Sequence, residues 1–266
     1  MTATSEDRAL EEVPRLDIPE LPETADTLEA ERERRKRELA ISFRIFARHG
    51  FDEGIAGHVT ARDPEFPDRF WVNPYARHFS RIRVGDLLLI DEEGHVVEGA
   101  ARTNKAAFWI HSAIHRARPD LVAVAHAHTI HGRAFSTLSR PLTPIVQESC
   151  AFYDDHIVFD EYKGLVLEQS EGQRIAERLG GRRAAILRHH GLLTTGRSVA
   201  EAAWWFLTMD RACQMQLLAE AAGTPRIMTE QEAELAHRQF GNANMARHNF
   251  ELLANLIVEQ EPDVLS

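Results

Sequence analysis

Two groups among the fourteen histidines of this 266-residue chain are spaced to do chemistry. His126-Ala127-His128 closes the apolar run LVAVAHAH. Residues i and i+2 of a strand face the same side, so these two imidazoles can grip one ion from one rigid element. His189-His190-Gly191 closes a second apolar run, AAILRHH. The glycine lets the backbone turn sharply there, leaving His190 free to converge on the first pair. Neutral imidazole is the commonest side-chain ligand for zinc-like ions, and three protein ligands with open positions is the catalytic arrangement. A lone H-x-H is more often a polar strand end or a pair of packed core histidines. Two histidine-bearing strand ends in one chain of this size favour a metal site. The ion expected is a single divalent one, and three imidazoles do not choose among zinc, manganese and Fe(II).

The elements that must position these histidines can be read from periodicity. A helix is predicted from Thr27 to His49, with Leu39, Phe43, Phe46 and Ala47 on one face and Gly50 as its stop. From Gly57 to Gly99 the texture changes to short strands: HVTARD, RFWVN, DLLLID and HVVEG. A second helix starts near the caps Thr103 and Asn104 and ends at Arg118-Pro119. LVAVAHAH, small and β-branched, suits a strand covered on both faces. A short helix from His131 to Leu138, an irregular stretch and a helix from Ser170 to Leu179 lead to the strand AAILRHH. Ser198 and Glu201 form an S-x-x-E capping box for a long helix with a stripe of Ala202, Phe206, Met209, Cys213 and Leu217. Thr229 and Glu232 repeat that pattern for a helical tail. Helices on both sides of a central sheet make an α/β/α fold in three layers the economical reading. Residues 1–26, with Pro14, Pro19 and Pro22 among many acids, read as a flexible or surface-draped arm. Residues 27–224 form the domain. Residues 225–266 form a tail packing on it or on a neighbouring subunit, with Phe240, Phe250, Leu252 and Leu253 as apolar anchors.

Charge and cysteine usage narrow the class. Lys+Arg 31 against Asp+Glu 41 leaves a net charge of -10, which repels phosphate backbones and argues against nucleic-acid partners. The one basic cluster, Arg32 to Arg37, alternates with acids and reads as a solvated helix face. Cys150 and Cys213 stand far apart without metal-type spacing, so a disulfide framework is excluded and a reducing cytoplasm is the expected setting. No apolar run approaches the length of a membrane span, and the acidic start lacks the order of a signal peptide.

Four segments carry a resemblance to a known family. ARPDLVAVAHAH, followed later by LRHHGLLTTG and a long helix, resembles the class II aldolase/adducin family. GIAGHVTARDP and FWVNP...DLLLID match its N-terminal half, so the likeness runs from about Glu38 to Gly223. It implies an α/β/α sandwich with a central mixed sheet, commonly a tetramer with sites near subunit boundaries, acting on a small-molecule substrate. It also implies that His126, His128 and His190 bind the metal, while His189 holds a more variable position.

The likeness has gaps. Sugar-phosphate aldolases of the family carry an acid/base carboxylate at a position falling near Ala107, yet no Asp or Glu lies between Gly99 and Asp120. Where their phosphate loop lies, this chain has Tyr75-Ala76-Arg77-His78, and His58 stands where they usually have Asn. Arg77 is a natural fork for a carboxylate, with His78, His58 or Lys105 as added donors and Tyr75 as an apolar wall. His131 is expected as a supporting residue or proton donor beside the metal pair. Glu148 is the best remaining carboxylate for acid/base work, with Tyr153 and Tyr162 as further candidates. His111 and His115, one turn apart, read as satisfied core histidines. Together these point to a metal-dependent carbon-carbon lyase, by retro-aldol cleavage or decarboxylation, acting on a phosphate-free oxo or hydroxy acid, aromatic acids included. A mononuclear Fe(II) oxygenase on the same three histidines is the alternative. A third reading is an adducin-like interaction module that has lost its chemistry.

Overall fold

The computed structural model describes residues 19–103, 105–164 and 169–266, and of residues 105–107 the backbone alone. The expected arm therefore lies outside the described residues up to residue 18, as do the Asn104 cap and the side chains of Lys105 and Ala107.

Helix α1 spans Leu28–Arg48, and Thr27 caps it by accepting from the Ala30 N–H. Its basic cluster is not simply solvated. Arg32 forks onto Asp63 and reaches Glu65, while buried Arg35 pairs with Glu31 and donates to the Arg62 carbonyl. These bonds tie α1 to the end of strand β1 (His58–Arg62). An antiparallel meander follows through β2 (Phe70–Val72), β3 (Leu88–Ile90) and β4 (Val96–Glu98). Helix α2 (Lys105–Ala117) leads to β5 (Ala123–Ala127), which pairs antiparallel with β1.

Short helices α3 (Ile130–Ser136) and α4 (Gln147–Cys150) come next, then β6 (His156–Phe159) and helix α5 (Gln169–Leu179). Strands β7 (Ala184–Leu187) and β8 (Gly191–Gly196) form a hairpin. The long helix α6 (Val199–Ala222), α7 (Glu230–Phe240) and α8 (Ala243–Gln260) complete the order.

The eight strands form one mixed sheet in the order β4-β3-β2-β1-β5-β8-β7-β6, with only the β6–β7 pair parallel. Two strands escaped sequence analysis. GLLTTG, bounded by glycines, reads as no element of its own but is the fully buried β8, and β6 lies inside the stretch read as irregular.

The sheet separates two apolar cores. On one face Leu39, Phe43 and Phe46 of α1, Phe206 of α6 and Phe250 of α8 meet Val59, Ala61, Ala123, Ala125 and Ala127. On the other, Ile110 and Ile114 of α2 and Ile175 and Leu179 of α5 cover Val124, Ala185, Leu187 and Leu193. Strand alternation then puts His126 on the α2/α5 side with Val124, and Thr60 and His58 likewise on β1. Among the tail anchors Phe250 is buried in this chain's own core, whereas Leu252 is 70% exposed. Ser198 caps α6 through the Glu201 N–H, but Glu201 turns its carboxylate to the Arg197 N–H, so only half of the expected box forms. The Thr229–Glu232 box is complete.

Candidate metal centre

His126 is the next-to-last residue of β5 and is locked on both sides: it pairs with His58 on β1 and with Leu193 on β8. Its Nδ1 lies 2.7 Å from the Leu192 carbonyl oxygen. A carbonyl only accepts, so Nδ1 carries the proton and Nε2 keeps a bare lone pair. His128 follows just beyond the strand end.

His190 arrives differently from the expectation. It sits in the three-residue turn Arg188-His189-His190 that joins β7 to β8, where Leu187 pairs with Gly191. His189 takes the left-handed conformation at φ 56°, so it makes the turn and faces Tyr162, while His190 faces the pair. One ligand atom from each of His126, His128 and His190 lies within 4.8 Å of the others. The three rings stand 4.7 to 5.1 Å apart, edge to face.

The electrostatics suit a cation. Burial, then the neighbouring imidazoles of His190, His128 and His58, hold His126 well below the ordinary histidine range. Burial, then His128, brings His190 down to about 4. Burial and the nearby Arg133 lower His128, while Glu53 pulls the other way. All three are therefore neutral at pH 7, with lone pairs available to a metal.

Gly57, at φ 94°, permits the approach of His58: a Cβ there would lie 3.0 Å from the Ala127 Cα. The His58 ring is 5.5 Å from His126 and 3.9 Å from His111. Among the substrate residues expected from sequence, His58 alone thus has a described ring contact with the triad.

The loop after β2 behaves otherwise. Arg77 donates to the Arg81 carbonyl and pairs with Asp86 at 3.0 Å, so its fork is already taken up by its own loop. His78 meets Asp52 at 3.2 Å and caps a short 3₁₀ turn. Tyr75 is exposed, its amide held by the Arg102 carbonyl.

The two acid/base candidates lie on the other layer. His131 approaches buried Asp210 of α6 at 3.4 Å, away from the sheet face that carries His126. Glu148 is on α4, which packs against α6 and α7. Tyr153 lies near Glu230 and Glu234 of α7.

A carboxylate missed in the sequence is Glu53. It pairs with Arg133 at 2.6 Å, remains half-exposed, and acts electrostatically on His128. Its signal was present only as DEG just ahead of Gly57-His58, and it gains meaning once β1 is known to pair with β5. Among the described residues Asp91, Glu93 and His95 also cluster, on the exposed β3–β4 turn.

This fold and site belong to a defined class. The chain is a member of the class II aldolase family: the model of the class II aldolase and adducin N-terminal domain matches residues 37–217. A decarboxylase, NovR, of Streptomyces niveus is 44% identical over 258 residues, covering 96% of each chain. A 4-hydroxy-3-prenylphenylpyruvate oxygenase/4-hydroxy-3-prenylbenzoate synthase of Streptomyces roseochromogenus subsp. oscitans is 43% identical, covering 97% of this chain and 94% of its own. Among solved structures, an L-fuculose 1-phosphate aldolase from Glaciozyma antarctica PI12 superposes with a TM-score of 0.86 at 39% identity, over 92% of this chain and 97% of that one. Among the described residues no helix is long and apolar enough to cross a membrane.

Proposed function

We propose that the chain is a metal-dependent enzyme that cleaves a carbon-carbon bond in a small oxo or hydroxy carboxylic acid, an aromatic one by preference. One observation carries this reading: three neutral imidazoles converge within 4.8 Å, and the His126 tautomer is fixed by the Leu192 carbonyl. A divalent ion held by His126, His128 and His190 would supply Lewis acidity toward a chelating carbonyl or carboxylate. The residues around it do the rest. His58 packs edge-on beside His126, and the half-exposed Glu53 carboxylate, steered by Arg133, takes the proton-transfer role first assigned to Glu148.

A sugar phosphate fits this chain less well, although one similar structure is that of an L-fuculose 1-phosphate aldolase. In the loop after β2, Arg77 is paired with Asp86 and His78 meets Asp52, so neither donor is left uncommitted for a phosphate dianion. Two relatives at 44% and 43% identity are named for decarboxylation and for an aromatic oxo acid, in keeping with the proposal. The second of those names also includes an oxygenase, and this favours a second reading in which the same triad holds Fe(II). An intact triad speaks against a non-catalytic module.

The test is a panel of aryl 2-oxo acids, aryl 2-hydroxy acids and phosphosugars, run with and without air while CO₂, aldehyde and O₂ uptake are followed. Turnover of an aryl acid without air supports the lyase. Turnover that consumes O₂ stoichiometrically supports the oxygenase. Efficient cleavage of a phosphosugar overturns both. By likeness to the family we further propose a tetramer, and a monomer in sedimentation at micromolar concentration would contradict it.

A further inference from the structure

Behind His58, on the α2 side of the sheet, runs a buried chain of polar groups that the proposed chemistry does not use. Thr60 Oγ1 lies 2.8 Å from His111 Nδ1 and 2.9 Å from His115 Nε2. Arg62 Nη2 donates to the His115 carbonyl at 2.6 Å and the Arg118 carbonyl at 3.2 Å, and lies 3.5 Å from His115 Nδ1. His111, His115 and Thr60 are each 1% exposed.

The direction of each bond follows from what each group can do. The two Nη2 hydrogens go to the His115 and Arg118 carbonyls. The positive guanidinium 3.5 Å from His115 Nδ1 faces a lone pair better than an N–H, so the His115 proton sits on Nε2. That N–H donates to Thr60, whose single hydroxyl proton is then directed to His111 Nδ1. His111 must carry its own proton on Nε2, and this atom is buried with no hydrogen-bond partner among the described residues. A hydroxyl placed between two imidazoles transmits one choice of tautomer from one to the other. The chain cannot export a proton, because Arg62 closes its far end and cannot accept one. It can only orient. What it orients is the ring on which His58 packs at 3.9 Å, and His58 in turn lies edge-on to His126 at 5.5 Å.

We propose that Arg62, His115, Thr60 and His111 form a tautomer-fixing relay, and that Thr60, His111 and His115 are positioning residues for His58 beside the metal triad. A flip of the His111 ring would put carbon where Thr60 needs nitrogen, so the relay holds that ring in one state and presents one face to His58. Burial keeps His111 and His115 neutral, in agreement with a relay that works by hydrogen-bond direction and not by charge. The importance of His58 for turnover rests on the function proposed above; the relay itself does not.

Nitrogen-15 histidine spectra of the full-length protein report the tautomers without metal or substrate. The wild type should show Nε2–H at both His111 and His115. Thr60→Val should leave His111 a mixture of tautomers, shift the His58 resonances, and lower kcat by about ten- to a hundredfold with little change in KM or bound metal. Thr60→Ser should restore both the spectrum and the rate. If Thr60→Val does not fold, His115→Gln interrupts the relay one step earlier and should move the His111 and His58 signals in the same sense. An Nδ1–H tautomer at His111 in the wild type would overturn the relay, as would a relay-broken variant with wild-type tautomers. Altered tautomers with unchanged kcat on a substrate the wild type does turn over would overturn the positioning role of His58. Failure of the wild type on every carboxylic acid would instead count against the proposed function alone.

Discussion

Two regions of the chain, the ends of β5 and β7 and the loop after β2, spend their polar groups in opposite ways. At the ends of β5 and β7 the ladder fixes the backbone of His126 and the Leu192 carbonyl takes its Nδ1 proton, so the Nε2 lone pair is left over. In the loop after β2, Arg77 and His78 are satisfied by Asp86 and Asp52. Both regions look chemically able in the sequence. What separates them is the surplus: His126 is held through its N–H and keeps the lone pair a metal needs, whereas Arg77 and His78 have donors already engaged by carboxylates.

This contrast can be broken most severely at the triad. His190→Ala should lower metal affinity and turnover by more than about a hundredfold, since even residues supporting a ligand cost 10–100-fold. The melting temperature should hardly move, because His190 sits in a turn and not in a core. Thermal melts beside steady-state rates check both halves. Next in size, Glu53→Gln should slow turnover by roughly a hundredfold while leaving bound metal in place, the low end of general acid-base effects. Glu148→Gln should leave the rate unchanged, and equal effects at the two positions would undo the assignment.

The loop supplies the opposite outcome. With its guanidinium tied to Arg81 and Asp86, Arg77→Ala should cost no more than about 1 kcal/mol of stability, the scale of an exposed ion pair. Its effect on kcat/KM for an acid substrate should be far below that of Glu53→Gln. A hundredfold loss would restore Arg77 as the substrate fork.

The triad was legible because strand alternation places His126 and His128 on one side whatever the rest of the fold does. His190 was legible as a residue but not as a geometry. A left-handed His189 makes the turn, and the glycine-bounded β8 does not look like a strand. Glu53 and Arg133 could not be paired from sequence, since they meet only when the loop before Gly57 closes over the end of β5. The same limit hid Asp86 from Arg77 and Asp63 from Arg32. A charged residue announces what it can bind, and only the fold says whether it has already bound it.

Asp63 gives the most general test of that rule. Burial alone would raise its carboxyl, but Arg32, the Glu65 and Phe66 amides and the Trp71 indole outweigh this and hold it at about 2. Its folded pKa is depressed, so its contribution is complete above the unfolded value and is lost as pH falls toward 2. After screening by solvent around Arg32 it should amount to about 1–2 kcal/mol. Urea melts of the wild type and Asp63→Asn should therefore differ at pH 7 and converge near pH 2. A constant gap would contradict the linkage.

The central claim is that His126, His128 and His190 hold one divalent ion. Elemental analysis of protein purified without added metal, on the wild type beside the triple alanine variant, tests it most directly. The expected result is near one ion per chain in the wild type and none in the variant, with both folded by circular dichroism. A folded triple variant that kept stoichiometric metal would contradict it.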